Sequence, residues 1–347
     1  MRQNDTGDVN VRPLIAVKSP EADVFGCAMK IIIPGGSGQV GTILARHFHA
    51  NGHEVVIFSR KPEVMPWRVV AWDGESRGGW VAEIDGAEVM INLAGRSVNC
   101  RYTAANRRAI RESRVRSTEV IGKAIASVNR PPRVWLQAST ATIYAHRYNG
   151  ANDEKSGIIG GAEPDAPDTW RFSIEVAKEW EAALESAKTP HTRKVAMRSA
   201  MTMSHDRGGV FDTLLWLVRR GLGGRAGDGR QYVSWIHEAD FIRTVEWLID
   251  HDISGPVNVA APEPLPNSDF MRELRQAWGA RFGLPASRWM IVLGAWMMRT
   301  ESELVLKSRR VVPGRLLESG FKFRFANWRE AARDLCKRWR ERGPAGH

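Results

Sequence analysis

Short uninterrupted apolar runs recur along the first two thirds of the chain, and longer segments with helical spacing of apolar residues separate them. The runs lie at 31–33, 55–58, 69–72, 88–93, 133–137 and 195–197. A strand that is covered on both faces shows such continuous runs rather than alternation. The helical segments lie at 39–52, 103–128 and 172–186. Strands that alternate with helices predict an α/β fold with a doubly wound parallel sheet.

A glycine cluster follows the first strand. Gly35, Gly38 and Gly41 stand at GxxGxxG spacing, and the helical pattern begins at Gln39. A phosphate requires this geometry, because small residues let the backbone approach and the free N–H groups of a new helix point at the anion. We therefore expect a dinucleotide-binding sheet of the Rossmann kind, with a plain glycine-rich turn as the alternative. The expected contacts are Gly35, Ser37, Gly38, Gln39, Val40 and Gly41.

The end of the second strand indicates which dinucleotide is bound. The segment reads VVIFSRKP and contains Ser59, Arg60 and Lys61, with no acidic residue between positions 55 and 61. An NAD enzyme usually places a carboxylate here to hold the ribose 2′-OH, whereas an NADP enzyme offers a cation. We expect NADP(H), with Arg60 as the main ligand of the 2′-phosphate. The alternative for Arg60 is an exposed loop cation.

The later part of the chain predicts a smaller C-terminal α+β substrate lobe. A segment dense in glycine, 208–230, favours a mobile flap or a static set of turns. A helix is expected near Asn267, a strand where Phe321, Phe323 and Phe325 alternate with cations, and a last helix whose capping box begins at Asn327. The expected units are a leader (1–28), an NADP-binding domain (29–200, with sheet contributions from about 231–262) and a substrate lobe (201–347).

Composition and charge narrow the class of protein. The formal net charge is +11 over 347 residues, but the cationic helices are interleaved with acidic residues and lack aromatic interleaving. Solvated helix faces are favoured over a nucleic-acid partner.

The apolar run at 289–298 is about half the length that spans a bilayer, so no membrane partner is expected. Cys27, Cys100 and Cys336 show no metal or disulfide spacing, which fits a cytoplasmic protein with no metal.

Five motifs together resemble one superfamily. They are GGSGQVG, FSRKP, INLAG (91–95), ASTATIY (138–144) and SWIHEADF (234–241). The chain is similar to the extended short-chain dehydrogenase/reductases, and within them to the atypical epimerase-like group with a C-terminal domain of unknown function. WEAAL (180–184), NVAAPEPLPNSDF (258–270) and SRRVVPGRLLESGFKF (308–323) resemble that group's later motifs.

This resemblance implies roles for single residues. A Ser or Thr four positions before the strand-five Tyr orients the substrate oxygen in the family. That position is Thr140, which precedes Tyr144, with Ser139 beside it on the cofactor side. Ala94 and Gly95 match the turn against the ribose and adenine. The region that covers the substrate in relatives includes Arg198, Trp235 and His237.

The family's catalytic pair is incomplete in this chain. No Tyr has a Lys four residues later. If Lys178 is taken as the catalytic Lys, the Tyr position is occupied by Ile174. If the chain is aligned on Trp180–Glu181 instead, the Tyr position is Ser173 and the Lys position is Ala177. Tyr144, Tyr148 or His237 could serve as the acid, or no proton transfer occurs. Lys178 could still contact the cofactor ribose, with an exposed helix cation as the alternative.

Three functions follow as hypotheses. The first is an NADP(H)-dependent oxidoreductase that acts on a small or nucleotide-linked carbonyl or alcohol, with the hydride chemistry belonging to the cofactor. The second is a nucleotide-sugar epimerase. The third is a non-catalytic protein that senses NADP(H). Extended relatives also dimerise through helices on the flank of the sheet, so a homodimer through the 103–128 helix is expected if that face is not simply solvated.

Overall fold

The computed structural model describes residues 28–164, 166–287, 289–291 and 303–342. The expected leader and most of the apolar run at 289–298 lie outside these ranges. The strands are β1 Lys30–Pro34, β2 Glu54–Ser59, β3 Arg68–Ala71, β4 Val89–Asn92, β5 Val134–Thr140, β6 Arg193–Ser199, β7 Met201–Met203, β8 Tyr232–Val233, β9 Trp235–His237, β10 Gly255–Val259 and β11 Leu265–Pro266. The α-helices are α1 Gln39–Ala50, α2 Ala104–Ile125, α3 Asp168–Ser186, α4 Val210–Arg219, α5 Glu238–Asp250, α6 Asn267–Trp278, α7 Glu303–Leu306, α8 Gly314–Glu318 and α9 Trp328–Glu341.

Seven parallel strands form the main sheet, in the order β3-β2-β1-β4-β5-β6-β10. The chain moves outward from β1 through β2 and β3, and then crosses to β4 on the other side of β1. The carboxyl ends of β1 and β4 therefore diverge at a topological switch point, which is where such sheets bind ligands. The predicted doubly wound α/β fold is confirmed.

Both faces of this sheet are buried, which explains the uninterrupted apolar runs. Ile31 and Ile33 contribute to a core shared with α1 and α5, whereas Ile32 contributes to the core under α2. Successive side chains of a strand point to opposite faces, so a strand covered on both faces has no polar positions to alternate. The sheet thus holds the loops at its carboxyl edge on a rigid base.

The second lobe has a core of its own, built by α4, α6 and α9. Trp328 stacks on Phe270 with ring centroids 4.1 Å apart, and Leu215 and Leu335 pack in the same cluster. The lobe contains the antiparallel pair β8–β11, and the parallel pair β7–β9 forms a separate two-stranded sheet that follows β6 in the chain. Asn327 caps α9 by accepting a hydrogen bond from Glu330 N, as its capping box predicts.

The strand expected at 321–325 is wrong. Burial alternates there, with Phe321 buried and Lys322 exposed, but the backbone forms no ladder. Instead, the Asp240 carboxylate accepts hydrogen bonds from Arg324 N and Phe325 N, both at 2.8 Å. The alternating pattern predicts backbone hydrogen bonds to a neighbouring strand, but here the backbone N–H groups bind a buried carboxylate instead.

The glycine-dense segment after α4 is a set of turns attached to residues 284–286. Gly224 N donates to Leu284 O at 3.2 Å and Gly227 N donates to Ala286 O at 2.8 Å. A Cβ on Gly224 would stand 2.5 Å from the Leu284 carbonyl carbon, so only glycine permits this approach. Within the described ranges, no helix is both long and apolar enough to cross a membrane.

Candidate active site

The three glycines after β1 have different structural roles. Gly35 has φ +72°, and a Cβ there would stand 2.6 Å from Ala94 Cα, so it lets the loop lie against the end of β4. A Cβ on Gly41 would stand 2.5 Å from Gly36 O, so it lets α1 close on the loop. Gly38 faces open space, with Gly35 O at 3.7 Å as the nearest neighbour of such a Cβ. The loop is closely packed on two sides and open on the third.

The open side is the N-terminus of α1. Its N-cap is Gly38, and no side chain caps the helix. Ser37 and Gly38 are exposed, so the first N–H groups of the helix are directed to solvent at the carboxyl edge of the sheet. Free N–H groups and the helix dipole together favour an anion at such a position. The arrangement fits a pyrophosphate.

Two of the expected loop contacts face protein in this structure. The Gln39 side-chain amide lies against Gly209 of the second lobe, and its Nε2 is buried without a hydrogen-bond partner among the described residues. Val40 packs on the core beneath α1. Only the backbone N–H groups of these two residues remain available to a phosphate.

Ser59 shapes the turn that presents Arg60. Its hydroxyl lies 3.3 Å from Ser37 Oγ and accepts a hydrogen bond from Lys61 N at 3.2 Å. This local turn joins the end of β2 to the glycine loop and leaves Arg60 exposed.

Arg60 lines an open cleft of about 510 Å³ beside the ends of β2 and β3. The other lining residues are Ala71, Trp72, Asp73, Ser76, Arg77, Gly78, Gly79 and Trp80. Trp72 is 5% exposed, and its Nε1 has no hydrogen-bond partner among the described residues. Arg60 and Arg77 provide two cations for a phosphate, and the Trp72 and Trp80 side chains, each 5% exposed, line the cleft beside them. The cleft fits the adenosine end of a dinucleotide.

Ala94 and Gly95 lie beside the glycine loop, at the end of β4. Ala94 N donates to Asn92 Oδ1 at 3.0 Å, and the residue is 8% exposed. A Cβ on Gly95 would stand 3.2 Å from Arg114 Cζ. The turn is therefore held between the glycine loop and α2.

Tyr144 belongs to a buried network rather than to an open cleft. Its hydroxyl donates to Asn258 Oδ1 and accepts from Arg198 Nη1, both at 2.9 Å. Burial raises the pKa of the Tyr144 phenol, and the neighbouring Arg198 only partly offsets this. Arg198 in turn binds the Glu181 carboxylate, which also accepts from Ser139 Oγ at 2.6 Å. These contacts give the three side chains structural roles. They correct the expectation that Tyr144 acts in catalysis, that Arg198 contacts the substrate and that Ser139 contacts the cofactor.

The remaining expected site residues separate into edge and core positions. Thr140 ends β5, is half-buried and accepts a hydrogen bond from Thr142 N at 3.1 Å, so it stays at the ligand edge. Lys178 is exposed on α3, and its ammonium lies near Gly161. Trp235 is fully buried and packs on Trp328 with ring centroids 5.0 Å apart. Its side chain is a core residue, which corrects the expected substrate contact.

His237 is likewise buried and structural. Its Nδ1 accepts the hydrogen bond of Ala239 N at 3.0 Å and caps α5, while its Nε2 lies 3.1 Å from Asp334 Oδ2. The ring also stacks on Phe325 at 3.9 Å. The SWIHEADF motif therefore joins the sheet to the C-terminal segment instead of lining a substrate cleft.

A group of polar side chains at the carboxyl edge was missed by the sequence reasoning. We call it the Glu303 cluster; it consists of Tyr102, Thr142, Ser173, Glu303, Lys307 and Arg309. Glu303 and Lys307 are each 1% exposed. The only sequence signal was the position of Ser173, which the alignment on Trp180–Glu181 places where the family has its phenol. Within the described ranges, no group of His, Cys, Asp and Glu is arranged to hold a metal ion.

Burial perturbs the cations of this cluster. Lys307 Nζ donates to Thr142 O at 2.7 Å, and desolvation, with Arg309 nearby, lowers the pKa of its ammonium to about 7. Desolvation also lowers the pKa of Arg309, which Glu303 and Tyr102 partly oppose. Strongly perturbed groups in one place are typical of functional sites.

Comparisons with known proteins agree with this geometry. Residues 31–163 match the model of the NAD dependent epimerase/dehydratase family, and residues 287–335 match a domain of unknown function (DUF1731). A relative from Bos taurus, epimerase family protein SDR39U1, is 30% identical over 88% of this chain and 99% of its own length. The chain belongs to the epimerase/dehydratase family. The expected resemblance, including the C-terminal domain, is confirmed.

Solved structures of other epimerase/dehydratase proteins share the architecture. Human epimerase family protein SDR39U1, crystallised with NADPH, superimposes with a TM-score of 0.78 at 27% identity, over 89% of this chain and 99% of that one. A nucleoside-diphosphate sugar epimerase from Corynebacterium glutamicum gives 0.69 at 29% identity, over 90% of this chain and 59% of that one. The part of the chain that matches DUF1731 contains Glu303, Lys307 and Arg309, which lie at the carboxyl edge of the sheet.

Proposed function

We propose that the protein binds NADP(H) and transfers a hydride between the nicotinamide and a small or nucleotide-linked carbonyl or alcohol. The observation that carries this proposal is the cleft that Arg60 and Arg77 share beside the open end of the glycine loop. A 2′-phosphate beside two guanidinium groups is favourable, since charge-assisted bonds to phosphate are strong. The NADPH in the human relative supports the same choice.

The chain's own residues would position the cofactor along the carboxyl edge. The main chain at Gly38 and the first turn of α1 would hold the pyrophosphate, and Trp72 and Trp80 would face the adenosine. The nicotinamide would then extend toward the end of β5, where Thr140 lies. When bound, NADPH supplies the hydride; the protein orients the substrate and must move one proton.

Titrations with NADPH and NADH test the cofactor choice. We expect NADPH to bind more tightly, and Arg60→Ala to weaken NADPH by about 10- to 100-fold, because a bond to a charged group contributes about 1.5–3 kcal/mol. NADH binding should not change. Arg130→Ala is the matched control, because the Arg130 side chain is 78% exposed and pairs with Asp85. Tighter binding of NADH, or equal weakening of both nucleotides by Arg60→Ala, would overturn the NADP(H) assignment.

A protein that binds NADP(H) without turnover is the second candidate. The hydrogen bonds of Tyr144 to Asn258 and Arg198 favour it, because they commit one of the expected acids to the fold. A panel of carbonyl compounds separates the two: loss of NADPH absorbance with any of them supports the oxidoreductase, and tight binding with no loss supports the sensor. An epimerase would instead retain its cofactor and interconvert sugar nucleotides without net oxidation.

A further inference from the structure

A phenol from outside α3 lies beside the position where the catalytic phenol is absent. Tyr102 belongs to the loop between β4 and α2, and its hydroxyl lies 3.4 Å from Ser173 Oγ. Ser173 Oγ donates to Glu303 Oε2 at 2.7 Å. A hydroxyl has one hydrogen, so with that hydrogen directed to the carboxylate, Tyr102 is the donor to Ser173. The three groups form a line from Tyr102 through Ser173 to Glu303.

This line is anchored to the ligand edge of β5. Arg309 Nε donates to Thr142 Oγ1 at 3.1 Å, and its Nη2 lies 3.9 Å from Glu303 Oε1. Thr142 follows Thr140, the last residue of β5, by two positions. Tyr102 thus stands beside the carboxyl ends of β4 and β5, the edge at which sheets of this kind bind ligands.

The surroundings of Tyr102 fix its ring and place guanidinium groups near it. The ring packs edge-to-face on Phe172 with centroids 5.1 Å apart, and 9% of the residue stays exposed. The charged groups that interact with it include Arg114 from α2 and Arg309 from the C-terminal segment. Two guanidinium groups stabilise a phenolate by proximity, as an adjacent ammonium would.

We propose that Tyr102 is the catalytic acid of the protein, and that Ser173 and Glu303 are positioning residues that hold its hydroxyl. This rests on the proposed oxidoreductase function. As a carbonyl accepts the hydride of NADPH at carbon, its oxygen takes the proton of the Tyr102 O–H bond, which leaves a phenolate, an alcohol and NADP⁺. The phenolate recovers a proton from water at its own exposed edge, while Ser173 and Glu303 hold its oxygen in place.

Two other groups compete for this role. Tyr144 is 2% exposed and its hydroxyl is held between Asn258 and Arg198, so a substrate oxygen has no access to it. Lys307 has an amine that titrates near neutrality, but it is 1% exposed and donates to the Thr142 carbonyl. Tyr102 differs from both because 9% of the residue is exposed and its hydroxyl adjoins Ser173, the position where the family has its phenol.

Steady-state kinetics test the proposal with Tyr102→Phe and with Tyr232→Phe as the control, because the Tyr232 ring packs under Arg310 and does not belong to the Glu303 cluster. The probes are p-nitrobenzaldehyde, 9,10-phenanthrenequinone and a UDP-4-ketosugar. For any probe that is reduced, Tyr102→Phe should lower kcat by about 10²- to 10⁴-fold, the range of general acid catalysis, with the NADPH Kd unchanged. Glu303→Gln should shift the pH profile of kcat, which a purely structural contact would not do. Unchanged kcat in Tyr102→Phe overturns the proposal.

A second readout does not depend on turnover. 3-Fluorotyrosine placed at position 102 should show a ¹⁹F shift on addition of NADPH but not of adenosine 2′,5′-bisphosphate, which lacks the nicotinamide. A label at position 232 should respond to neither. If no probe is reduced, this measurement decides: an unmoved resonance in NADPH-saturated protein overturns the proposal, and a nicotinamide-dependent shift supports it. Failure to bind NADPH at all would instead refute the proposed function.

Discussion

The Arg198 guanidinium binds the Glu181 carboxylate through two nitrogens, Nε at 2.8 Å and Nη2 at 2.7 Å. The pair joins β6 to α3 with 9% and 16% of the two side chains exposed. Planar, bidentate pairs of this kind have well-defined geometry. The third nitrogen of Arg198 reaches Tyr144, so the pair also fixes the chain just after β5.

Removal of one partner of this pair should destabilise the fold. We expect Arg198→Met to lower the free energy of unfolding by about 3–5 kcal/mol, because it leaves the Glu181 carboxylate buried and unpaired. The double variant Arg198→Met/Glu181→Leu should recover most of that loss. Urea unfolding measures both. A fully stable Arg198→Met variant with weakened substrate binding would restore the expected substrate role.

The glycine loop offers a matched pair of substitutions. Gly38→Ala should leave the melting temperature unchanged, since its Cβ meets only Gly35 O at 3.7 Å and its φ of −74° suits any residue. It should weaken NADPH binding by about tenfold or more, since loss of a bond to a charged group costs about 1.5–3 kcal/mol. Isothermal calorimetry measures this loss.

Gly41→Ala should behave differently, because its Cβ would stand 2.5 Å from Gly36 O. Overpacking against backbone costs about 1–3 kcal/mol, so this variant should lose stability even without nucleotide. Thermal unfolding of the apo-protein separates the two glycines. Equal stability loss in both variants would contradict the assignment of Gly38 to the ligand.

These contrasts show which parts of the molecule a sequence encodes locally. The sheet could be predicted because a strand that is buried on both faces has a continuous run of apolar residues, as in Ile31, Ile32 and Ile33. The glycine loop could be predicted because close backbone approach excludes side chains at fixed positions. The alternation of Phe321 and Phe323 indicates that one side of this segment is buried. It does not indicate that the Asp240 carboxylate binds the backbone there.

The Glu303 cluster could not be predicted because its members are distant in sequence. Tyr102 and Ser173 are separated by 71 positions, and Ser173 and Glu303 by 130. Nothing in a run of residues such as Glu303 to Arg309 indicates that charged side chains are buried, since charged residues are almost never fully buried unless paired. The family resemblance gave a position for the phenol but no substitute for it.

The Asp240 carboxylate should be essential to the junction between α5 and the C-terminal segment. It is fully buried and holds Arg324 N and Phe325 N. Asp240→Ala should lower the free energy of unfolding by about 3 kcal/mol or more, since each bond to a charged group contributes about 1.5–3 kcal/mol. Asp252→Asn is the control, because the Asp252 side chain is 99% exposed, and it should show no measurable change. Similar unfolding curves for both variants would contradict the role of Asp240.

Lys307 should make stability depend on pH in a defined window. Burial lowers the pKa of its ammonium from 10.5 to about 7. Between these values the unfolded chain holds one more proton at this side chain than the folded chain, so its contribution to stability rises with pH. Below about pH 7 both states are protonated and the contribution to the slope disappears. The neutral amine still donates to Thr142 O, so the fold keeps that hydrogen bond at high pH.

Urea unfolding of the wild type and Lys307→Met from pH 7 to 10 measures this effect. The wild type should gain stability relative to the variant, with a slope that approaches about 1.4 kcal/mol per pH unit for one proton. The difference between the two proteins cancels other groups that titrate in this range. Lys322→Met, at an exposed lysine, should run parallel to the wild type. Parallel curves for Lys307→Met as well would show that Lys307 keeps an ordinary pKa in the folded protein.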